Sequence, residues 1–472
     1  MDRNEQQFDV VRVETESIAL TLDTVAGRMS QAQTNLTNAV YFAETNGLGV
    51  SDDGQVAGPS ALDGADRHDP DARESRQQAV ELQRAAQDRI DAAIAMAQEA
   101  SDEGRNALGS LGAGVLTQPR AFGAAAEAAQ DVKDAAKALG LVDPYIPENR
   151  DPKQNAEWWW SLTPEQQQEY LALYPGQVGM LDGLPATVRD QANRLTLDEQ
   201  LDSLHAGSPT GSGLTYEEYN ERENALRGLR DKLDQADGED GPRQLFLLGL
   251  DPAKGKGRAI VAMGNPDTAD HTAVLVPGTG TVLASMPGQI ERTGRLQSAA
   301  LAAADTGQTV SVISWLGYDA PEIAPSVTDT GRAEGGAADM RSFTAGVRVA
   351  QGDHRSHLTV IGHSYGSTAV GVAAQGDGGL HADDIVALGS PGMGTDNARN
   401  LNIDPGHVWV EAASDDPVAN YASGLTLGPD PSDQSFGGND VTVDTHGHSG
   451  YWDPGSQSLR NQGLIIAGKP PG

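Results

Sequence analysis

From residue 243 to residue 414 the chain repeats one pattern: short, continuous apolar runs separated by turns or helix-like stretches. "RQLFLLGLD", "GRAIVAMGN", "HTAVLVPG", "QTVSVISWLG", "HLTVIGHS", "DDIVALGS" and "HVWVEAAS" are runs of strand length. A strand with one wet face alternates apolar and polar residues. These runs do not alternate, so both of their faces are expected to be buried. Pro252-Ala-Lys-Gly-Lys-Gly257 is a tight-turn sequence and predicts an antiparallel hairpin from the first two runs. "ASMPGQIERTGRLQSAALAAAD" and "GGAADMRSFTAGVRVAQGD" separate later runs and read as helices. The expected fold is α/β: a mostly parallel, doubly wound sheet with an antiparallel edge, preceded by an all-helical N-terminal region.

An antiparallel edge followed by parallel strands is the order of an α/β-hydrolase. The fifth run ends in "TVIGHSYGSTAVG", residues 359 to 371, which places G-x-S-x-G between a strand and a helix. Gly362 and Gly366 let strand end and helix start approach each other closely, so Ser364 is the expected nucleophile. His363 reads as a structural neighbour. A serine needs a base, and the base needs an orienting carboxylate. In this fold their chain order is Ser, acid, His. Of ten histidines only His446 and His448 lie beyond the last run. Within "HGHSGYWD", His448 is the preferred base. The seventh run leads into "SDDPVANY", where Asp416, restrained by Pro417, is preferred over Asp415.

The oxyanion of an acyl-transfer intermediate needs donors. The expected ones are the backbone N–H of Tyr365 and that of Thr279, in the loop Pro277-Gly278-Thr279-Gly280-Thr281 after the third run. Gly278 and Gly280 allow close approach of the backbone to substrate. Trp315, Gly317, Tyr318 and Met393 follow strand ends and are pocket candidates, with core packing as the alternative. Asp444, His446, His448 and Asp453 lack the pattern of a metal site, so neither metal nor cofactor is expected.

The N-terminal third differs. Phe8, Val11, Ile18, Leu22, Val25, Met29, Ala32, Leu36, Ala39 and Ala43 follow steps of three and four, with Thr15 filling the gap. A Gly-, Asp- and Ser-rich loop follows. A second helix from about residue 72 to 103 carries Ala79, Leu82, Ala86, Ile90, Ala93, Ala97 and Ala100 on one face. The pair predicts an antiparallel helical hairpin, a packing appendage or a module for a helical partner or homodimer through residues 8–104. Next, "AAAEAAQDVKDAAKALG" reads as a helix. Trp158, Trp159 and Trp160 read as the anchor of a helix onto another domain, with a binding patch as the alternative, and Thr163 with Pro164 reads as the start of a helix. Pro175-Gly176 stops that one, and residues 216–237 form a charged helix. The expected domains are 1–110, the hairpin; 111–240, a helical linker or lid packed on the hydrolase, whose helices from 158 to 237 are expected to cover the mouth of its site; and 241–472, the catalytic domain.

A formal charge of −34 argues against a nucleic-acid partner. The absence of cysteine excludes disulfides and thiolate catalysis. No apolar run is long enough to cross a bilayer, and "MDRNEQQFDV" lacks a signal-peptide pattern. The expectation is a soluble protein, cytoplasmic or exported by a non-classical route.

"WWWSLTPEQQQEYLALYPGQVGMLDGLPATVRDQANR", "VLVPGTGT", "SWLGYDAP", "GHSYGSTAVG", "ALGSPGMG", "DDPVA" and "HSGYWD" resemble, in order, an actinobacterial α/β-hydrolase family of unknown function. The resemblance runs from Trp158 to the C-terminus and implies Ser364, Asp416 and His448 as a triad. It implies no substrate. The hairpin resembles helical-hairpin substrates of type VII secretion, with Asn46-Gly47-Leu48-Gly49 where those carry W-x-G. The expected function is a serine esterase or lipase-like hydrolase acting on a small acyl ester. The alternatives are a peptidase or acyltransferase on the same triad, and a secretion-linked or interaction protein whose hydrolase domain is secondary.

Overall fold

The computed structural model describes residues 3–51, 53–58, 70–115, 146–148, 151–206, 214–237, 241–322, 325–421 and 426–472. The chain divides into two units, Met1–Pro144 and Tyr145–Gly472. The described residues between 146 and 237 belong to the second unit, with the sheet.

In the first unit α1 (Arg3–Thr45) and α2 (Pro70–Val115) form the hairpin. Their antiparallel register shows in three pairs: Val25 against Gly104, an Arg28–Glu103 ion pair, and Asn35 Nδ2 at 3.6 Å from Met96 Sδ. Small side chains set the close approach. Ala32, Ala39 and Ala43 are buried on α1, as are Ala86, Ala93, Ala100 and Ala107 on α2. A Cβ on Gly104 would stand 2.6 Å from Val25 Cγ2, so only glycine fits there. Leu22 and Leu36, on the expected stripe, are exposed. The side chains of Phe8, Val11, Thr15 and Ile18, and the expected helix "AAAEAAQDVKDAAKALG", lie outside the described residues. The loop after α1 contains a two-stranded ladder, β1 (Gly49–Val50) and β2 (Val56–Ala57). Gln83 and Gln87 of α2 pin β2 through its Val56 carbonyl and N–H.

The second unit opens with helices. Asp151 caps α3 (Pro152–Ser161), and Thr163 caps α4 (Pro164–Leu173) through a reciprocal capping box with Gln166. Pro175 ends α4 and opens a single turn, α5 (Pro175–Val178). Trp159 is buried, Trp158 packs edge-on to Tyr170 at 5.0 Å, and Trp160 is exposed, so two of the three tryptophans anchor α3. Two long helices follow, α6 (Ala186–Ala206) and α7 (Tyr216–Ala236).

All seven apolar runs are strands: β3 (Leu245–Asp251), β4 (Arg258–Met263), β5 (His271–Val276), β6 (Val310–Leu316), β7 (His357–His363), β8 (Asp384–Leu388) and β9 (Val408–Glu411). A two-residue β10 (Asn439–Asp440), too short to leave a sequence signal, pairs with β9. The order across the sheet is β10-β9-β8-β7-β5-β6-β4-β3. β3 and β4 are antiparallel, β4 is antiparallel to β6, and all other pairs are parallel. The helices α8 (Met286–Ala303), α9 (Gly331–Ala350), α10 (Tyr365–Ala374) and α12 (Gln457–Ile466) cover the faces, and a short α11 (Pro417–Tyr421) follows β9. One core lies between the sheet, α9 and α10; a second lies between the sheet, α8 and α12.

Of the helices between 151 and 237, α3 packs on α9, and α6 and α7 pack at the sheet's β3 edge. Leu197, Leu201, Leu226, Leu229 and Leu233 form a core with β3 and β4. Polar side chains of α6 pair with the free backbone of β3: Asp190 Oδ1 accepts from Leu247 N at 2.7 Å, Asn193 Nδ2 donates to Leu247 O at 3.0 Å, and Arg194 Nη2 donates to Leu245 O at 3.3 Å. An unpaired edge strand invites aggregation, and α6 removes that hazard. Among the described residues no helix is long and apolar enough to cross a membrane.

Candidate active site

Parallel strands point their carboxyl ends to one side, where α/β sheets hold their ligands. At the end of β7, Ser364 adopts φ 54° and ψ −132°. A non-glycine residue there stores strain of about 1–3 kcal/mol, and such strain persists only where surroundings enforce it. The surroundings do so. A Cβ on Gly362 would lie 2.4 Å from Ser367 Cα, and one on Gly366 would lie 2.2 Å from Val276 O. The Ser364 carbonyl is held by Ser367 N at 2.9 Å and Ser367 Oγ at 2.6 Å, and the Ser364 N–H donates to Leu388 O at 2.9 Å.

The loop after β5 backs onto this elbow. A Cβ on Gly278 would sit 2.6 Å from Ser364 Cβ, so the loop runs directly past the serine. Tyr318 Oη donates to Pro277 O at 2.6 Å and fixes the start of that loop. The Gly280 N–H donates to Pro321 O at 2.8 Å, so it is committed elsewhere. Thr279 is half-buried between them. Tyr365 opens α10, and the first N–H groups of a helix have no partner within it.

Of the two carboxylate–histidine combinations, one has a buried carboxylate and a half-buried histidine, and the other is exposed. His448 Nδ1 stands 2.9 Å from both Asp416 oxygens, and the Asp416 side chain is fully buried. His446 Nδ1 lies 3.3 Å from Asp415 Oδ2, and both side chains are exposed. Asp415 instead fixes the loop, accepting from Gly447 N at 2.8 Å. Burial alone pushes the Asp416 carboxyl up. Hydrogen bonds from His448, Tyr451 and the Val418 N–H outweigh it and hold the group at about 2. An ionised carboxylate only accepts, so Nδ1 of His448 carries a proton, and it is Nε2 that is left to face a substrate or nucleophile as acceptor in the neutral tautomer.

Tyr451 is a site residue that the sequence reading passed over. Its hydroxyl accepts from Ala413 N at 3.1 Å and donates to Asp416 Oδ2 at 2.7 Å. Its signal was its position three residues after His448. Trp315, Tyr318 and Met393, expected as pocket lining, are completely buried in the core between the sheet, α9 and α10. Tyr318 stacks on Trp315 with centroids 6.1 Å apart. Asp444 accepts from the Gln457 N–H at the start of α12.

A family model described as an alpha/beta hydrolase matches residues 251–426, which include Ser364 and Asp416. An uncharacterized protein of Mycobacterium tuberculosis is 34% identical over 363 residues, covering 66% of this chain and 55% of the relative. The chain thus spans little more than half of that relative's length. A second uncharacterized protein of that organism is 32% identical over 201 residues, covering 41% of this chain and 73% of the relative. The solved structure of a hyperthermophilic esterase from the archaeon Pyrobaculum calidifontis is similar with a TM-score of 0.34 and 14% identity, over 54% of this chain and 94% of that one. By its relatives and its matched segment, the chain belongs to the α/β-hydrolase family, in company with these mycobacterial proteins.

Proposed function

We propose that the protein is a serine hydrolase that cleaves a carboxylic ester through Ser364, His448 and Asp416. The observation that carries this reading is a buried Asp416 in double contact with a half-buried His448, whose carbonyl in turn meets His363, the residue before a strained elbow serine. His448 Nε2 takes the Ser364 hydroxyl proton as Oγ attacks the ester carbonyl. The C–O bond to the alcohol breaks, and the alcohol leaves with the proton from His448. Water then attacks the acyl-serine with His448 again as base, releasing the acid and free Ser364. Asp416 stays ionised and supports the imidazolium formed in both halves.

The oxyanion donors in this reading are the N–H groups of Tyr365 and Thr279. Thr279 is favoured over Gly280 because the Gly280 amide already serves Pro321. Gly278 keeps the space beside Ser364 Oγ free of a side chain. No residue in this scheme calls for a metal or cofactor.

Hydrolysis of p-nitrophenyl butyrate tests the proposal. The full chain is expected to turn it over. Ser364→Ala and His448→Ala are each expected to lower kcat by at least about 10³-fold. Turnover that survives Ser364→Ala would overturn the assignment. A matched p-nitroanilide distinguishes amide from ester cleavage on the same residues.

A further inference from the structure

His363 is buried beside the proposed nucleophile and takes no part in the scheme above. Its Nε2 lies 2.8 Å from the main-chain carbonyl oxygen of His448. A carbonyl only accepts, so Nε2 carries the proton and the contact runs from His363 to the loop bearing the proposed base. The two imidazoles also face each other, with centroids 4.7 Å apart and planes inclined by 33°. On its other side His363 meets Trp452 edge-on at 4.8 Å, and Tyr451 at 6.1 Å.

Trp452 is itself braced. The Arg292 guanidinium lies 4.5 Å from its ring centroid, and Arg295 Nη1 donates to its carbonyl at 3.3 Å. His363 is therefore wedged between a fixed indole and the imidazole of His448. Burial, followed by the proximity of His448, pushes the His363 imidazole down to about 3, so it is neutral across the working range.

We infer that His363 is a positioning residue for His448: it ties down the backbone of the base by a hydrogen bond and limits the swing of its ring by a tilted ring-to-ring contact. The inference rests on the proposed Ser364–His448–Asp416 chemistry. It explains why an uncharged ring is needed there. His448 becomes an imidazolium in the transition state, and a cation at residue 363 would repel it. A neutral donor orients the base without that penalty.

Three variants separate orientation from packing. His363→Phe keeps a ring and loses the donor. His363→Gln keeps a neutral donor near the position of Nε2. His363→Lys supplies a donor that brings a charge. Rates on p-nitrophenyl butyrate are divided by the number of sites a fluorophosphonate titrates, so unfolded protein does not count. The expected result is a kcat lowered about 10- to 100-fold in His363→Phe with KM little changed, since misplacement of a reacting group costs up to about 100-fold. His363→Gln is expected to recover most of that loss, and His363→Lys is not. Equal kcat per titrated site in wild type and His363→Phe would overturn the inference, as would a His363→Gln no better than His363→Phe. A wild-type chain that is not titrated at Ser364 would instead overturn the parent reading. A positioning role moves kcat per site, whereas a merely structural role lowers the number of titrated sites and the melting temperature alone.

Discussion

Glu411 ends β9 and Asp416 follows it, and their surroundings push them in opposite directions. Three donors hold Asp416 at about 2 against an ordinary 3.8. A depressed carboxyl contributes stability that is complete above the unfolded pKa and is lost as pH falls through the folded one. Its ionisation therefore sets no limit on activity near neutrality. Asp416→Asn keeps the shape and removes the charge and the tautomer preference. We expect it to lower kcat about 10⁴-fold with the fold intact, as judged by circular dichroism. Glu411 is raised from 4.5 to about 8, first by burial, which the donors Ser458 Oγ and Gln462 Nε2 only partly offset. The sign is reversed for a raised acid: its contribution is complete below about 4.5 and fades as pH rises to about 8. Urea midpoints are expected to fall across that window, and Glu411→Gln is expected to flatten the slope. An unchanged slope would show that Glu411 ionises normally. The consequence reaches the site, because Gln462 Nε2 also donates to Tyr451 O at 3.0 Å and the Tyr451 hydroxyl holds Asp416.

Among the elements, α6 has the most specific task. It pairs with the free edge of β3 through Asp190, Asn193 and Arg194, a side-chain ladder in place of a ninth strand. Asn193 is fully buried and donates to Gly179 O at 2.9 Å as well as to Leu247 O. Asn193→Ala takes this donor from the Leu247 carbonyl in the interior, while Gly179 O keeps Arg189 Nε at 3.3 Å. Its expected cost is about 1–3 kcal/mol in urea unfolding, with ester turnover per folded molecule unchanged. A change of substrate range in this variant would instead favour the lid role first expected of residues 158–237. The helix α10 illustrates the converse arrangement. Its N-terminus must come within contact distance of β5 and β7, and Gly362 and Gly366 supply the room.

At the scale of the whole molecule, the second unit was legible because its signals are redundant. Seven apolar runs, each too apolar to be exposed, specify a sheet buried on both faces, and the sequence order of elbow, acid and histidine picks out one end of it. The preference for Asp416 over Asp415 had only Pro417 behind it; what separates them in the structure is burial, a property of the packed loop that two adjacent aspartates do not reveal. Tyr451 escaped, and His363 read only as a structural neighbour, for the same reason: their contacts exist only once β7 and residues 446–452 meet. The packing of α6 and α7 at the β3 edge was not legible, because an amphipathic helix declares which face it buries and not against which strand. The two-residue β10 is below the length at which alternation can be read.

The central claim is that Ser364 is an activated nucleophile. It is tested most directly by treating the full chain with a fluorophosphonate and locating the adduct by peptide mass spectrometry. The account predicts one adduct per chain, on the peptide containing Ser364, with the rate of labelling sharply reduced in His448→Ala. An adduct on another residue, or labelling at the same rate when His448 is removed, would contradict it.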